Sequence, residues 1–247
     1  MKTIFGSNRW TGPPGSAKSK HAEIHLWRVD LDRNAHILLA LESSLAPEER
    51  AKASAFRLAL DRNRYIMARG ALRTILAWYL KAAPVELVFR CGVRGRPELA
   101  DDGLRFNTSR SHDLALYAVS RTCEVGVDVE RIRSGIEEDV VRCFCSRRAM
   151  RYMEALPQPV RRRAFFQGWT RMEAYQKARG EGLKPGLENF ERFLHPSNPA
   201  LLPAPDDPPE AQSWCIYDFF PRSGYIAAVA AGVAKCKLYY WKWQVRA

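Results

Sequence analysis

Acidic residues are scarce in this 247-residue sequence: 27 Asp and Glu stand against 39 Lys and Arg, a formal net charge of +12. The imbalance favours anionic partners, whether nucleic acid, a phosphorylated small molecule, an acidic protein or a membrane surface. Long apolar runs are missing. The longest, Tyr225–Ala234, falls far short of the ~20 residues a membrane span needs. Met1–Trp10 also lacks the apolar core of a signal peptide. Cysteine is present but unpatterned. The six cysteines form no Cys-x-x-Cys pair, and no histidine stands beside them at zinc-ligand spacing. Cys143 and Cys145 make only a Cys-x-Cys, which reads as two small, semi-buried side chains. A structural zinc site is thereby set aside, and a reduced, cytoplasmic setting is expected.

Apolar residues make up 47% of the chain and aromatics 11%, enough for a sizeable core and too much for a disordered chain. The length fits one large domain or two small ones. Residues 7–20, rich in Gly, Pro, Ser and Lys, read as a flexible entry. Ile24–Asp30 alternates like a half-buried strand. Pro47, Glu48 and Glu49 open a basic helical stretch reaching Leu80, with Pro at the first turn and acids at the positive end of the dipole. Val85–Arg90 reads as a strand, Gly92–Pro97 as a turn, and Phe106 opens a polar loop. Leu114–Ser120 and Val125–Val129 read as strands. A helical pair is expected over 136–156 and 158–179, a strand over 188–194 and a proline-rich loop over 196–209. Residues 214–220, 225–233 and 237–245 read as closing strands of an antiparallel sheet. Each half thus holds a long basic helix and several strands. The fold expected is α+β, two similar lobes spanning 1–120 and 121–247.

Two segments can carry chemistry through carboxylates, while Gly95-Arg-Pro97 could present a guanidinium and a ring to a ligand and the hydroxyls and backbone N–H groups of Phe106–Ser111 could meet phosphate, or both are plain turn and loop. In Gly126-Val-Asp-Val-Glu130, period-two geometry sends Asp128 and Glu130 to one face and Val127 and Val129 to the other. Two crowded carboxylates suit Mg²⁺, which takes oxygen ligands and substrate phosphates. They equally suit a solvated strand face paired with Arg131 and Arg133. In Trp169-Thr-Arg-Met-Glu-Ala-Tyr-Gln-Lys177, helical spacing puts Trp169, Glu173 and Lys177 on one stripe. That stripe is a phosphate-and-metal site or an ordinary surface ion pair. Arg179-Gly-Glu-Gly-Leu183 reads as a helix end with Gly180 or Gly182 left-handed.

Taken in order, Gly95-Arg-Pro97, Phe106-Asn-Thr-Ser-Arg-Ser111, Gly126-Val-Asp-Val-Glu130, Trp169–Lys177 and Gly180-Glu-Gly-Leu183 resemble the surfactin-synthetase type of 4′-phosphopantetheinyl transferase. The basic stretch from Pro47 to Arg64 is similar as well, and the likeness covers roughly residues 45 to 185. The resemblance implies two related lobes in pseudo-twofold arrangement with coenzyme A in the cleft between them. It implies Mg²⁺-dependent transfer of phosphopantetheine to a serine of an acidic acyl or peptidyl carrier protein, releasing 3′,5′-adenosine bisphosphate. Asp128, Glu130 and Glu173 would hold Mg²⁺ (or Mn²⁺). Glu173 would also be the base for the carrier serine, and Lys177 would neutralise phosphate charge. Lys52, Arg64, Ser109 and Arg110 would lie near the nucleotide phosphates, with Arg96 and Pro97 near the adenine. The chain departs from the family pattern at three positions. Arg110 replaces a histidine, Met172 a lysine, and Glu49 a basic residue that would otherwise not repel phosphate.

Three other readings remain. A nucleic-acid-binding protein would use the net charge, the arginines between 147 and 163, and exposed Trp241 and Trp243, although no nucleic-acid motif is present. A metal nuclease would use Asp128 and Glu130, but Ile132 stands where such sites often carry lysine. A pseudo-enzyme would keep the architecture without the transfer.

Overall fold

The computed structural model describes residues 10–13, 22–32, 35–92, 97–100, 103–133, 146–180, 190–194, 200–202 and 214–244. The chain is mixed α and β. In order it runs β1 (Glu23–Asp30), α1 (Ala35–Glu42), α2 (Pro47–Ser54), α3 (Ala59–Leu80), β2 (Phe89–Cys91), β3 (Pro97–Leu99), β4 (Arg105–Ser111), β5 (Leu114–Ser120), β6 (Val125–Arg131), α4 (Arg147–Glu154), α5 (Gln158–Arg179), β7 (Ala200–Leu202), β8 (Trp214–Phe219), β9 (Tyr225–Ala231) and β10 (Lys237–Lys242). Among the described residues, one sheet has the order β10-β1-β5-β4 and another β6-β9-β8-β7, with β2 and β3 as a separate hairpin.

Side-chain alternation sorts the core into layers. On β5, Ala115, Tyr117 and Val119 join Trp27 and Val29 of β1 beneath α3, where the Tyr117 hydroxyl donates to the Ala68 carbonyl at 2.6 Å. The opposite face, with Ile24, Leu26, Leu114 and Leu116, packs against Val127, Val129, Ala227 and Val229 of the second sheet. The outer face of that sheet, including Ile226, Ala228 and Ala230, is covered by α5. The order is α3, sheet, sheet, α5. Both sheets are covered on two faces, which is why β5 and β9 are buried throughout.

Several expectations are corrected. The helical stretch from 48 to 80 is two helices, α2 and α3, separated at residues 55–58. Pro84–Glu86 is a single 3-10 turn, and the strand starts only at Phe89. Phe190–Leu194 is also 3-10 rather than strand. Residues 105–111, expected as a loop, form β4, because Phe106 faces the core while small polar side chains alternate with it. Ala200–Leu202, inside the expected loop, pairs with β8. Most telling, β10 does not close the second sheet. It returns to the first and lies parallel to β1, Glu23 opposite Lys237 through Arg28 opposite Lys242. Trp243, expected exposed, is buried in the α3-side core. Residues 136–145, with Cys143 and Cys145, and residues 203–209 lie outside the described residues.

Candidate active site

The edges of the two sheets face each other at β4 and β6 without a shared backbone ladder. Side chains make the junction instead. Asn107, Ser109 and Ser111, two residues apart on β4, point at β6 and accept its backbone N–H groups. Val127 donates to Asn107 Oδ1 at 3.1 Å, Val129 to Ser109 Oγ at 3.3 Å and Arg131 to Ser111 Oγ at 3.1 Å. Each serine passes its own proton on to a carboxylate. Ser109 Oγ donates to Asp128 Oδ1 at 2.8 Å and Ser111 Oγ to Glu130 Oε2 at 2.9 Å. The hydroxyls therefore fix both the strand spacing and the carboxylate orientations.

Helix α5 crosses the same face of β6 at very close range. A Cβ on Gly126 would sit 2.0 Å from the Ala174 carbonyl oxygen and 2.5 Å from the Ala178 amide nitrogen. Only glycine permits that approach. It brings Glu173 and Lys177, one helical turn apart, over Asp128. Lys177 Nζ donates to Asp128 Oδ1 at 2.6 Å, lies 3.4 Å from Glu173 Oε2 and reaches Ser109 Oγ at 3.3 Å. Gly180 ends the helix in the left-handed conformation, φ 69°. Residues 181–183 lie outside the described residues.

The electrostatics follow from crowding. Burial, and then Asp128, push the Glu173 carboxyl up from 4.5 to about 7, against the pull of Lys177. Burial and Asp128 also raise Glu130. Burial works against the Lys177 ammonium, but Asp128 and Glu173 outweigh it and hold the proton more firmly than usual. Asp128 is 2% exposed, and its Oδ2 has no hydrogen-bond partner.

An orphaned carboxylate oxygen beside two further carboxylates is a donor set for a hard divalent cation. Even so, no three such side chains stand at metal-binding spacing among the described residues. The ammonium of Lys177 lies among them. The donor chemistry fits Mg²⁺, while the arrangement is that of an internally neutralised site.

The remaining expected residues are spread more widely. Lys52 is exposed, with its ammonium 5.7 Å from the Tyr65 ring. Arg110 sits on the face of β4 away from Ser109, within electrostatic reach of Tyr65 and Tyr117. Arg64 is committed elsewhere, in a bidentate pair with Asp32 at 2.8 and 2.9 Å. Pro97 lines a cavity of about 240 Å³ with Leu99, Leu104 and Phe106. Arg96 lies outside the described residues.

The departures resolve structurally. Met172 is fully buried in the α5 core and does not face Asp128. Arg171 cannot replace the missing charge, because it is buried and binds Asp218 and the Phe193 carbonyl. Glu49 does not confront the site either. It is buried, caps the Ala46 amide at 2.9 Å and pairs with Arg69 and Arg73. The part that Asn107 and Ser111 play, holding β6 and the Glu130 carboxylate, is not expected from the sequence, which offers the 106–111 hydroxyls to phosphate instead. The alternation of small polar side chains at 107, 109 and 111 was the signal that could have shown it.

The similarities to known proteins all fall in one family. Residues 124–230 match the model of the 4′-phosphopantetheinyl transferase superfamily. The chain is 35% identical over 226 residues to the 4′-phosphopantetheinyl transferase HetI of Nostoc sp., covering 90% of this chain and 92% of that protein. It is 32% identical to the 4′-phosphopantetheinyl transferase psf-1 of Bacillus pumilus over 71% of this chain and 75% of the relative. It is 26% identical to the human L-aminoadipate-semialdehyde dehydrogenase-phosphopantetheinyl transferase over 68% and 58%.

Proposed function

Because the chain belongs to the 4′-phosphopantetheinyl transferase superfamily, we propose that the cluster of Asp128, Glu130, Glu173 and Lys177 at the β4–β6–α5 junction is its transfer centre. The protein is a transferase that moves the 4′-phosphopantetheine arm onto carrier proteins, with coenzyme A as the donor. The observation that carries the assignment is the Gly126 approach, which brings the Glu173–Lys177 turn directly over Asp128.

The chemistry asks little covalent help of the protein. The carrier serine oxygen bonds to the β-phosphorus of coenzyme A as the bond to the bridging oxygen breaks, and 3′,5′-adenosine bisphosphate leaves. Such phosphoryl transfer depends on positioning and charge neutralisation. Glu173, raised to about 7, is poised near neutrality to take the serine proton. Lys177 neutralises charge on the leaving phosphate. Ser109 and Ser111 hold Asp128 and Glu130 in orientation. Mg²⁺ held by Asp128, Glu130 and Glu173 would supply further neutralisation of the phosphates. Lys52 and Arg110, gathered near Tyr65, form a basic flank for the nucleotide phosphates, with Pro97 and Arg96 towards the adenine. Arg64 would have to leave Asp32 to join them.

The two sheets with their helices form the two pseudo-twofold lobes, passing from one to the other near residue 120, with β10 returned to the first. The net charge of +12 suits an acidic carrier. No described helix is long and apolar enough to cross a membrane. The cysteines described are free thiols, which suits a reduced compartment, and we assign the enzyme to the cytoplasm.

Intact-mass spectrometry of an apo acyl carrier protein tests the reading. Incubation with the enzyme, coenzyme A and Mg²⁺ should add one phosphopantetheine, and EDTA should prevent it. No mass gain on any of several apo carriers, with coenzyme A still bound, would refute it in favour of a pseudo-enzyme.

A further inference from the structure

Asp128 is nearly inaccessible to solvent, and a buried carboxylate without a counter-charge is strongly unfavourable. Lys177 supplies that charge. Its ammonium lies 2.6 Å from Asp128 and 3.4 Å from Glu173, so it joins the two carboxylates as a divalent cation would. The other oxygen of Asp128 stays unpartnered, and the carboxylates are not spaced as a ready cage. The Lys177 side chain is 30% exposed, on a flexible four-carbon stem that can turn outwards to a phosphate.

We propose that Lys177 is a tethered counter-ion that exchanges between Asp128 and the phosphates of coenzyme A, so that divalent metal and coenzyme A each bind weakly alone and strongly together. The proposal rests on the metal reading of the site given above. With neither ligand bound, Lys177 neutralises the carboxylates and keeps the cluster stable. A divalent cation entering alone must displace the ammonium, or share the carboxylates with a like charge beside it. Coenzyme A entering alone must draw Lys177 away and leave Asp128 buried and unpaired. When both enter, the ammonium moves to phosphate and the cation takes its place on the carboxylates. The coupling is reciprocal by necessity, each ligand raising the affinity of the other by the same factor. It also makes a metal-loaded, substrate-free site a minor species.

Direct binding of Mn²⁺, followed by electron paramagnetic resonance of the free ion, tests this without turnover. In the wild-type protein coenzyme A should tighten Mn²⁺ binding, and by linkage Mn²⁺ should tighten coenzyme A. Lys177→Met should tighten Mn²⁺ binding in the absence of coenzyme A by roughly tenfold, a usual size for coupling between sites. The further gain on adding coenzyme A should shrink. Lys177→Arg, which keeps the charge, should leave Mn²⁺ binding weak in the absence of coenzyme A. Lys177→Gln, polar and close in length, repeats the measurement should methionine disturb the packing. If Lys177→Met and Lys177→Gln are folded by circular dichroism and bind Mn²⁺ no tighter than wild type, the exchange is wrong while the metal site stands. If the wild-type protein binds no Mn²⁺ even with coenzyme A, the metal reading falls and the exchange falls with it.

Discussion

Replacing Glu173 by glutamine removes a charge that the fold holds against its preference. The carboxyl is raised from 4.5 to about 7, by burial first and then by Asp128. A tenfold change in proton affinity corresponds to about 1.4 kcal/mol, so ionising Glu173 costs roughly 3 kcal/mol more in the folded protein than in the unfolded chain. The unfolded chain releases this proton near 4.5 and the folded protein near 7. Between those values the folded state binds more protons, so stability falls as pH rises through the window and the full loss is present above it. Glutamine cannot ionise, and the cost just given already includes the 3.4 Å contact of the ionised carboxylate with Lys177. The expected net gain for Glu173→Gln is about 3 kcal/mol at pH near 8, or roughly 6–12 °C in Tm for a chain of this size. Little gain is expected at pH near 5. Urea unfolding at both pH values in EDTA measures this, with the carrier mass assay run alongside. The variant should be more stable at high pH and inactive. A variant no more stable than wild type at high pH, or equally stabilised at both, would refute the reasoning about the site. Undiminished transfer would remove Glu173 from the chemistry.

Gly126→Ala places a methyl group inside the backbone of α5 and should cost about 3 kcal/mol or more, read as a lower urea midpoint together with lost transfer. Arg222→Met should lower kcat more than it raises KM, with Arg222→Lys partly restoring it. Arg222 binds Asp113 at 2.7 Å in the turn after Ser111 and so anchors the β4 end of the site. A change in stability alone, with kcat intact, would count against that. His25 is lowered from 6.5 to about 4 by burial, so the unfolded chain takes up the proton first and stability is lost as pH falls between those values. His25→Gln should remove up to about 3 kcal/mol of that acid-side loss, seen as a flatter dependence of the urea midpoint on pH.

Asp128, Glu173 and Lys177 were legible as a group because two short-range periods applied. Period two fixed the face of Asp128 and Glu130, and a four-residue helical step fixed Glu173 with Lys177. Neither period could tell an active site from a solvated face. The structure adds Gly126, whose missing side chain lets α5 settle onto β6 and bring Lys177 over Asp128, so the face is covered and not solvated. Segment types were legible where one pattern ran on, as in β5, β9 and α5. They failed where the partner was remote. The edge strand β4 looked like a loop because its polar residues bond to another sheet's backbone instead of water. Strand β10 looked like its neighbours, but its partner β1 lies more than two hundred residues away, and local sequence carries no record of that pairing.

Charge was the least legible property, because a formal sign says nothing about what already neutralises it. Arg64 read as a cation for the nucleotide phosphates but is bound to a carboxylate of the fold, as the basic residues Arg73 and Arg171 are too. Glu49 read as an intruding acid and is the buried partner of two arginines. Met172 read as a lost charge, but it occupies the core side of α5, where a lysine could not have faced Asp128 without turning the helix. The same rule explains why Lys177 differs from the other basic residues. It is also paired, but its partners are the carboxylates proposed to hold the metal, so on that reading binding of metal and phosphate breaks its ion pairs. On the proposed reading its pair with Asp128, unlike those of Arg64, Arg73 and Arg171, stands in the path of the reaction.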